Sequence, residues 1–241
     1  MYPDSDESET QSEDSQFYEA CSKGNLVDVK YYVLQPEFNI HLCDEWGSTG
    51  FHCACRGGHV NVVKFFIEQG FNLNTSNFSG ETGFISACIF GKLNVIKYLF
   101  NEGADWAACD SERNNGFYWA CSGCHFNVIQ FFLKNEYEEI NFENVHGITG
   151  PNMLVERKSQ CNDEHLFEKN IAVLIEYGAN FCDAHNSASL VNKIQYRVIE
   201  ITFMTNLINE KWTGRIANAI IDFTMEPSTD NSLQNLNKFL K

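Results

Sequence analysis

The chain has 241 residues and a formal net charge of −15, from 17 Lys and Arg against 32 Asp and Glu. This acidity argues against a nonspecific nucleic-acid binder, which needs cationic side chains to displace phosphate counterions, and the apolar runs are too short to span a membrane. With 44% hydrophobic residues and no signal-peptide pattern at its first residues, we expect a soluble protein in the cytoplasm, with the nucleus as the alternative.

The first segment, residues 1–15, is acidic, rich in serine and free of Lys and Arg. Such a composition cannot form a packed core, so we predict a disordered tail. The simplest interpretation is a solubilising tail. Phosphorylation of its Ser and Thr residues, which lie among acidic side chains, is the alternative.

The next segment repeats itself with a period of 33 or 34 residues. Within each unit, a Thr or Asn cap and a following glycine delimit one short helix, and apolar residues at helical spacing predict a second helix. Such a unit cannot bury its apolar face alone, so neighbouring units must stack. The clearest repeat columns are Phe17, Phe51, Phe84 and Phe117; Ala20, Ala54, Ala87 and Ala120; and Cys21, Cys55, Cys88 and Cys121.

The repeat resembles the ankyrin repeat family, most clearly over residues 45–70 (EWGSTGFHCACRGGHVNVVKFFIEQG). The resemblance extends over residues 16–186 as five units and implies an all-α ankyrin-repeat solenoid. In that family, β-hairpin fingers and first helices line a concave groove, and second helices form the convex back. Two departures are the glycine that replaces the family's Pro after the capping Thr, and Cys124, which replaces a helix-ending glycine. Gly123 is expected to take over that turn.

The end of the chain departs from the period. The fifth unit is longer than the others, which predicts an insertion near residues 158–168 of a kind that is often functional. Beyond residue 186 the period fades, and apolar residues at helical spacing predict a degenerate repeat and capping helices over 187–241. These would cover the last apolar face of the solenoid. A dimerisation or partner surface is the alternative.

Histidines and cysteines at residues 52–59 suggest a metal site by residue type. However, Cys53 and Cys55 are two residues apart on a helix and do not face each other. We therefore interpret the cysteine column as core packing and expect reduced thiols, since stacked units lie about 10 Å apart. The lack of an export signal likewise favours free thiols throughout. His59 and His125 share a structural turn position, and Trp106 is assigned to the core.

No catalytic motif has a useful spacing, so we predict no enzyme, no cofactor and no metal. What remains is the groove. The finger tips and the groove ends of the first helices carry apolar side chains that the solenoid does not need for itself, rimmed by glutamates, which is the composition of a binding hot spot. Packing of Trp46 and Phe78 on neighbouring fingers is the alternative. The predicted partner-binding residues are Glu45, Trp46, Arg56, Phe78, Glu81, Ile89, Phe90, Glu112, Asn114 and His146.

The predicted function is a non-enzymatic protein–protein interaction module or adaptor, monomeric, binding another protein that presents an apolar anchor with basic flanks. No nucleic acid or membrane insertion is expected. Two alternatives remain open. Asn74 and Asn141 occupy positions at which, by the resemblance, asparagine can be hydroxylated, so the chain would be the substrate of a modifying enzyme. It would otherwise be a pathogen or viral ankyrin protein that captures host factors.

Overall fold

The computed structural model describes residues 7–161 and 164–181. The chain divides into two units, Met1–Ile194 and Gln195–Lys241, and every described residue lies in the first. The capping helices predicted over 187–241 lie outside the described residues, as does part of the predicted insertion.

The described part of the chain forms ten α-helices and one 3-10 helix. The odd-numbered helices pack against one another in chain order, and the even-numbered helices form a second row. This confirms the predicted all-α stack of helix pairs. The α-helices are α1 (Glu7–Lys23), α2 (Leu26–Val33), α3 (Gly50–Gly57), α4 (Val60–Glu68), α5 (Gly83–Ile89), α6 (Leu93–Asn101), α7 (Gly116–Ser122), α8 (Phe126–Lys134), α9 (Gly150–Glu156) and α10 (Glu164–Glu176), and the 3-10 helix (Lys158–Gln160) lies between α9 and α10.

The first helix of each unit begins where the sequence predicts a cap. The side chains of Thr82, Asn115 and Thr149 each accept a hydrogen bond from a backbone N–H in the first turn of the following helix. These bonds satisfy N–H groups that have no partner within the helix. Local sequence alone therefore determines where α5, α7 and α9 begin.

The core is a column of rings and thiols shared between successive units. Phe51, Phe84 and Phe117 are at most 1% exposed, and the cysteines of the same units are fully buried. Glycine at the first position of the next helix makes room for them: a Cβ on Gly83 would lie 2.4 Å from the Phe51 ring and 2.9 Å from Cys55 Sγ. The phenylalanine of one unit thus requires the glycine of the next.

Two details differ from the sequence predictions. The helix α1 begins at Glu7, so residues 7–15 of the predicted disordered tail are helical. In the turn between α7 and α8, Cys124 adopts a positive φ of 53°, whereas Gly123 has a φ of −85°. The expectation that Gly123 takes over the turn is wrong, because His125 keeps its place in the repeat and the left-handed residue must immediately precede it.

Candidate protein-interaction surface

In the part of the chain that the structure describes, four hairpin fingers connect the helix pairs, each closed by one isolated antiparallel bridge. An Asp or Asn begins each finger, and its side-chain oxygen accepts two backbone N–H groups, which folds the tip without help from the rest of the molecule. In the third finger, Asp110 Oδ1 accepts from the N–H groups of Glu112 (2.9 Å) and Asn114 (2.8 Å). The equivalent residues are Asp44, Asn77 and Asn144.

Backbone hydrogen bonds join each finger to the next. The N–H of Phe78 donates to Trp46 O (3.0 Å), that of Ser111 to Ser79 O (2.9 Å), and that of Val145 to Glu112 O (3.0 Å). The tips are therefore a continuous ledge rather than four independent loops. We refer to residues 45–46, 78–79, 111–112 and 145–146 as the tip row.

Large apolar side chains of the tip row face solvent. Trp46 is 63% exposed, Phe78 77% and Val145 54%. The Phe78 ring does contact the preceding finger, since a Cβ on Gly47 would lie 2.6 Å from it. Most of the ring nevertheless remains free to bind. Val145 was missing from the predicted binding residues; its position in the repeat, directly equivalent to Phe78, was the signal that could have identified it.

Acidic side chains flank these apolar residues. Glu45 and Glu112 are exposed, whereas Glu81 is half-buried and its carboxylate accepts a hydrogen bond from Asn77 Nδ2 (3.3 Å). Neither ion pair found among the described residues involves these glutamates. His146 is exposed at the last tip. The tip row therefore presents uncompensated negative charge beside apolar area.

The predicted residues at the groove ends form a separate group. The Arg56 guanidinium lies 5.6 Å from the centre of the Phe90 ring, which is 47% exposed, in a cation–π contact. Ile89 is half-buried, and its carbonyl accepts a hydrogen bond from His125. These residues lie at the C-terminal ends of α3 and α5, about 12 Å of helix from the fingers. The predicted apolar residues thus lie at two places, the finger tips and the groove ends, and their role in binding stays a prediction.

Asn114 is buried rather than exposed at a finger tip. It is 1% exposed, its Nδ2 donates to Asp110 Oδ2 (3.1 Å), and its Oδ1 accepts from Asn144 Nδ2 (2.9 Å). It joins two fingers from within, so the expectation that it is exposed at a finger tip is wrong, and its role in partner binding stays a prediction. Sequence position alone could not reveal this, because its neighbours Glu112 and Arg113 are exposed.

The two asparagines predicted as modification sites bridge successive units. Asn74 Oδ1 accepts from Asp105 N (3.0 Å), and Asn141 Oδ1 accepts from Asn180 N (2.7 Å) while its Nδ2 donates to Gly178 O (2.9 Å). These contacts give both residues a structural role. Their hydroxylation stays a prediction.

The histidines also connect units. His52 is fully buried; its Nδ1 accepts from Thr49 N (3.2 Å), which leaves Nε2–H to donate to the carbonyls of Thr75 and Glu81 (3.1 Å each). Burial lowers the pKa of His52 and so favours its neutral form. His59 Nε2 bonds Ser22 O across the repeat boundary.

The cysteines in the described part of the chain are either free thiols or joined in a disulfide. The predicted column is reduced and buried, and burial raises the pKa of Cys55 and Cys88 well above the usual range. Cys124 and Cys161, in contrast, form a disulfide. The expectation that all thiols stay free is wrong for this pair, because the longer fifth unit brings Cys161 next to the preceding turn.

Among residues 7–161 and 164–181, no group of three or more His, Cys, Asp or Glu side chains is arranged to hold a metal ion. Nor does any helix in this part of the chain have the length and apolar character needed to cross a membrane.

Comparison with known proteins agrees with the geometry. The family model for ankyrin repeats matches residues 17–110 in three copies. No curated protein matches the chain. Beyond the match, α7 to α10 continue the same caps, fingers and two helix rows. The chain thus carries ankyrin repeats, matched over residues 17–110 and continued in the structure by helix pairs of the same construction.

Proposed function

We propose that this chain is a non-enzymatic adaptor that binds a partner protein through the tip row. Ankyrin repeats are in general protein–protein interaction modules. The observation that carries the proposal is the exposure of Trp46 (63%) and Phe78 (77%) on adjacent fingers held together by a backbone hydrogen bond. Since aromatic side chains on a rigid support lose little entropy when they are buried, they are efficient binding anchors.

Charge defines the partner further. Glu45 and Glu112 are exposed in the tip row, and the whole chain carries −15. A partner segment with an apolar side chain flanked by Lys or Arg would bury its apolar group against Trp46 and Phe78. Its cations would lie over the glutamates, which favours fast association and selects against acidic partners.

The proposal is tested by selecting a random peptide library displayed on phage against the full chain and measuring the affinity of the selected peptides. We expect peptides with an aromatic or aliphatic residue between basic residues. Trp46→Ala and Phe78→Ala should each weaken binding by about 2 kcal/mol, or about 30-fold, because truncation removes anchor area. Unfolding temperatures should barely change, since both side chains are mostly exposed.

The matched control is Tyr31→Ala, which removes a similarly exposed ring (66%) from α2, outside the tip row. It should leave the affinity unchanged. Equal loss in all three variants, or selected peptides without basic residues, would contradict the proposed surface. A variant that unfolds instead would show that its side chain belongs to the core.

A further inference from the structure

The disulfide between Cys124 and Cys161 connects two successive units. Cys124 lies in the turn between α7 and α8, and Cys161 directly follows the 3-10 helix. The two residues are 37 apart in sequence, and their Cα atoms are 5.8 Å apart. The bond therefore ties the segment 157–161 of the fifth unit to the preceding unit.

A histidine makes a cross-unit hydrogen bond at two other boundaries of the stack, whereas the third unit has Lys92 at that position. His59 Nε2 bonds Ser22 O (2.7 Å) and His125 Nε2 bonds Ile89 O (2.8 Å), over separations of 37 and 36 residues. The fifth unit has Ser159 at the corresponding position. The covalent bond thus supplies a cross-unit connection that the fifth unit cannot make with a histidine.

The backbone at Cys124 does not favour cysteine. Its φ is 53°, and the equivalent turns have glycine in that conformation, at Gly24, Gly58 and Gly91. A side chain is disfavoured there by crowding against the following carbonyl oxygen. Cysteine at this position therefore brings a conformational penalty together with a thiol that reaches the next unit.

The thiols of the repeat column are poor candidates for oxidation. Cys21, Cys55, Cys88 and Cys121 are buried, and burial raises the pKa of each, which disfavours the reactive thiolate. Cys124 and Cys161 are half-buried, so small oxidants and reductants can reach them.

We propose that Cys124 and Cys161 are a reversible redox modification site that controls how firmly the fifth unit is held to the fourth. In the oxidation, the thiolate of one cysteine attacks a peroxide oxygen, the O–O bond breaks, and a sulfenic acid and a hydroxide form. The second thiolate then attacks the sulfenic sulfur and releases hydroxide. The two thiols lose two electrons and the peroxide gains them, so two waters leave after proton uptake. A dithiol reductant reverses the step by exchange.

The test uses the full chain, treated with hydrogen peroxide or with dithiothreitol, and limited trypsin digestion. Trypsin cleaves after Arg157 and Lys158, inside the linked segment. We expect cleavage there to be at least about 10-fold slower in the oxidised protein, because the link suppresses local opening. Cleavage after Lys134, at the end of α8, is the internal reference. Peptide mass spectrometry of the oxidised sample should show Cys124 joined to Cys161.

Trypsin should cleave the Cys161→Ser variant at the rate of the reduced parent, with or without peroxide. If that variant fails to fold, Cys124→Gly, which suits the positive φ, takes its place. Cys43→Ser removes an exposed, unbonded thiol and should behave as the parent. The proposal is overturned if trypsin cleaves the parent equally fast under both conditions. It is also overturned if the peroxide-treated, folded protein keeps both thiols free or joins either to another cysteine. This inference does not depend on the proposed partner surface.

Discussion

The fourth unit places side chains at backbone positions that hold glycine in other units. Arg113, Cys124 and Glu136 have φ values of 62°, 53° and 57°. This left-handed conformation costs an ordinary residue about 1–2 kcal/mol. Arg113 has a compensating contact, since its guanidinium lies 4.9 Å from the centre of the Phe142 ring, and Cys124 has its disulfide. Glu136 is exposed, and its side chain has no hydrogen-bond or ion-pair partner among the described residues.

Replacing Glu136 should therefore stabilise the protein. Glu136→Gly removes the left-handed penalty but adds about 0.4–1 kcal/mol of chain entropy in the unfolded state, so the free energy of unfolding should rise by about 0.5–1 kcal/mol. Urea unfolding of parent and variant measures the difference. Glu138→Gly, an exposed glutamate without positive φ, is the control and should not stabilise. A lower unfolding free energy for Glu136→Gly would refute the strain argument.

Each finger is an element that folds from its own sequence, but its side chains acquire additional partners in the stack. Asp110 Oδ2 accepts from Trp119 Nε1 (2.9 Å) and Asn114 Nδ2 (3.1 Å), in addition to the two backbone bonds of its Oδ1. Asn77 and Asn144 occupy the same position in other fingers without an indole to satisfy. A carboxylate at 110 is thus required by its surroundings and not by the turn.

Asp110→Asn should destabilise the protein although asparagine occurs naturally at the equivalent position. The new NH₂ group of the Asp110→Asn variant would replace Oδ2 and face the N–H donors of Trp119 and Asn114, which would lose their acceptor. We expect this to lower the unfolding free energy by about 1–3 kcal/mol. Chemical denaturation followed by tryptophan fluorescence reports both the stability and the surroundings of Trp119. Asp44→Asn is the matched control: Asp44 Oδ1 accepts backbone N–H groups of Trp46 and Ser48, which asparagine can also do. Equal effects of the two changes would argue against this explanation.

Throughout the described stack, one steric pairing recurs at each boundary between successive repeat units. The cysteine and phenylalanine of each unit contact the N1 glycine of the next. A Cβ on Gly50 would lie 2.7 Å from the Phe17 ring, and one on Gly116 2.9 Å from Cys88 Sγ. At the boundary between the fourth and fifth units the fit is looser, since the nearest atoms to a Cβ on Gly150 lie at 3.2 Å.

Gly83→Ala should lower the unfolding free energy by about 1–3 kcal/mol, because the methyl group overlaps the Phe51 ring. Helices prefer alanine to glycine by about 1 kcal/mol, which would stabilise the variant. A lower unfolding free energy would therefore have to come from the packing clash. Gly150→Ala should be milder. In the double variant Gly83→Ala with Phe51→Leu, part of the loss should be recovered, which a double-mutant cycle of thermal unfolding measures. Additive losses would show that the ring is not the obstacle.

Much of this architecture follows from short-range patterns in the sequence. The Thr and Asn caps, the apolar positions of the second helices and the 33-residue recurrence of Phe51, Phe84 and Phe117 predict helix pairs and their stacking. Hydrogen bonds at helix starts and one-sided hydrophobicity act between residues a few positions apart, so a linear pattern contains them. The exposure of Trp46 and Phe78 was also predictable, because their position in the repeat lies at a finger tip.

Contacts between units were decided by the tertiary structure. Asn114 is buried because it bonds Asn144, 30 positions away, and Cys124 bonds Cys161, 37 positions away. Phe90 lies apart from the tip row because it belongs to a different element. None of these relations is visible in a local pattern. The glycine at the first position of each first helix shows the difference most clearly. The sequence shows that glycine replaces the family's proline. Only the structure shows why, because the phenylalanine ring of the preceding unit occupies the space that a side chain would need. Close packing leaves no spare volume at such boundaries, so only the assembled stack specifies which side chain fits.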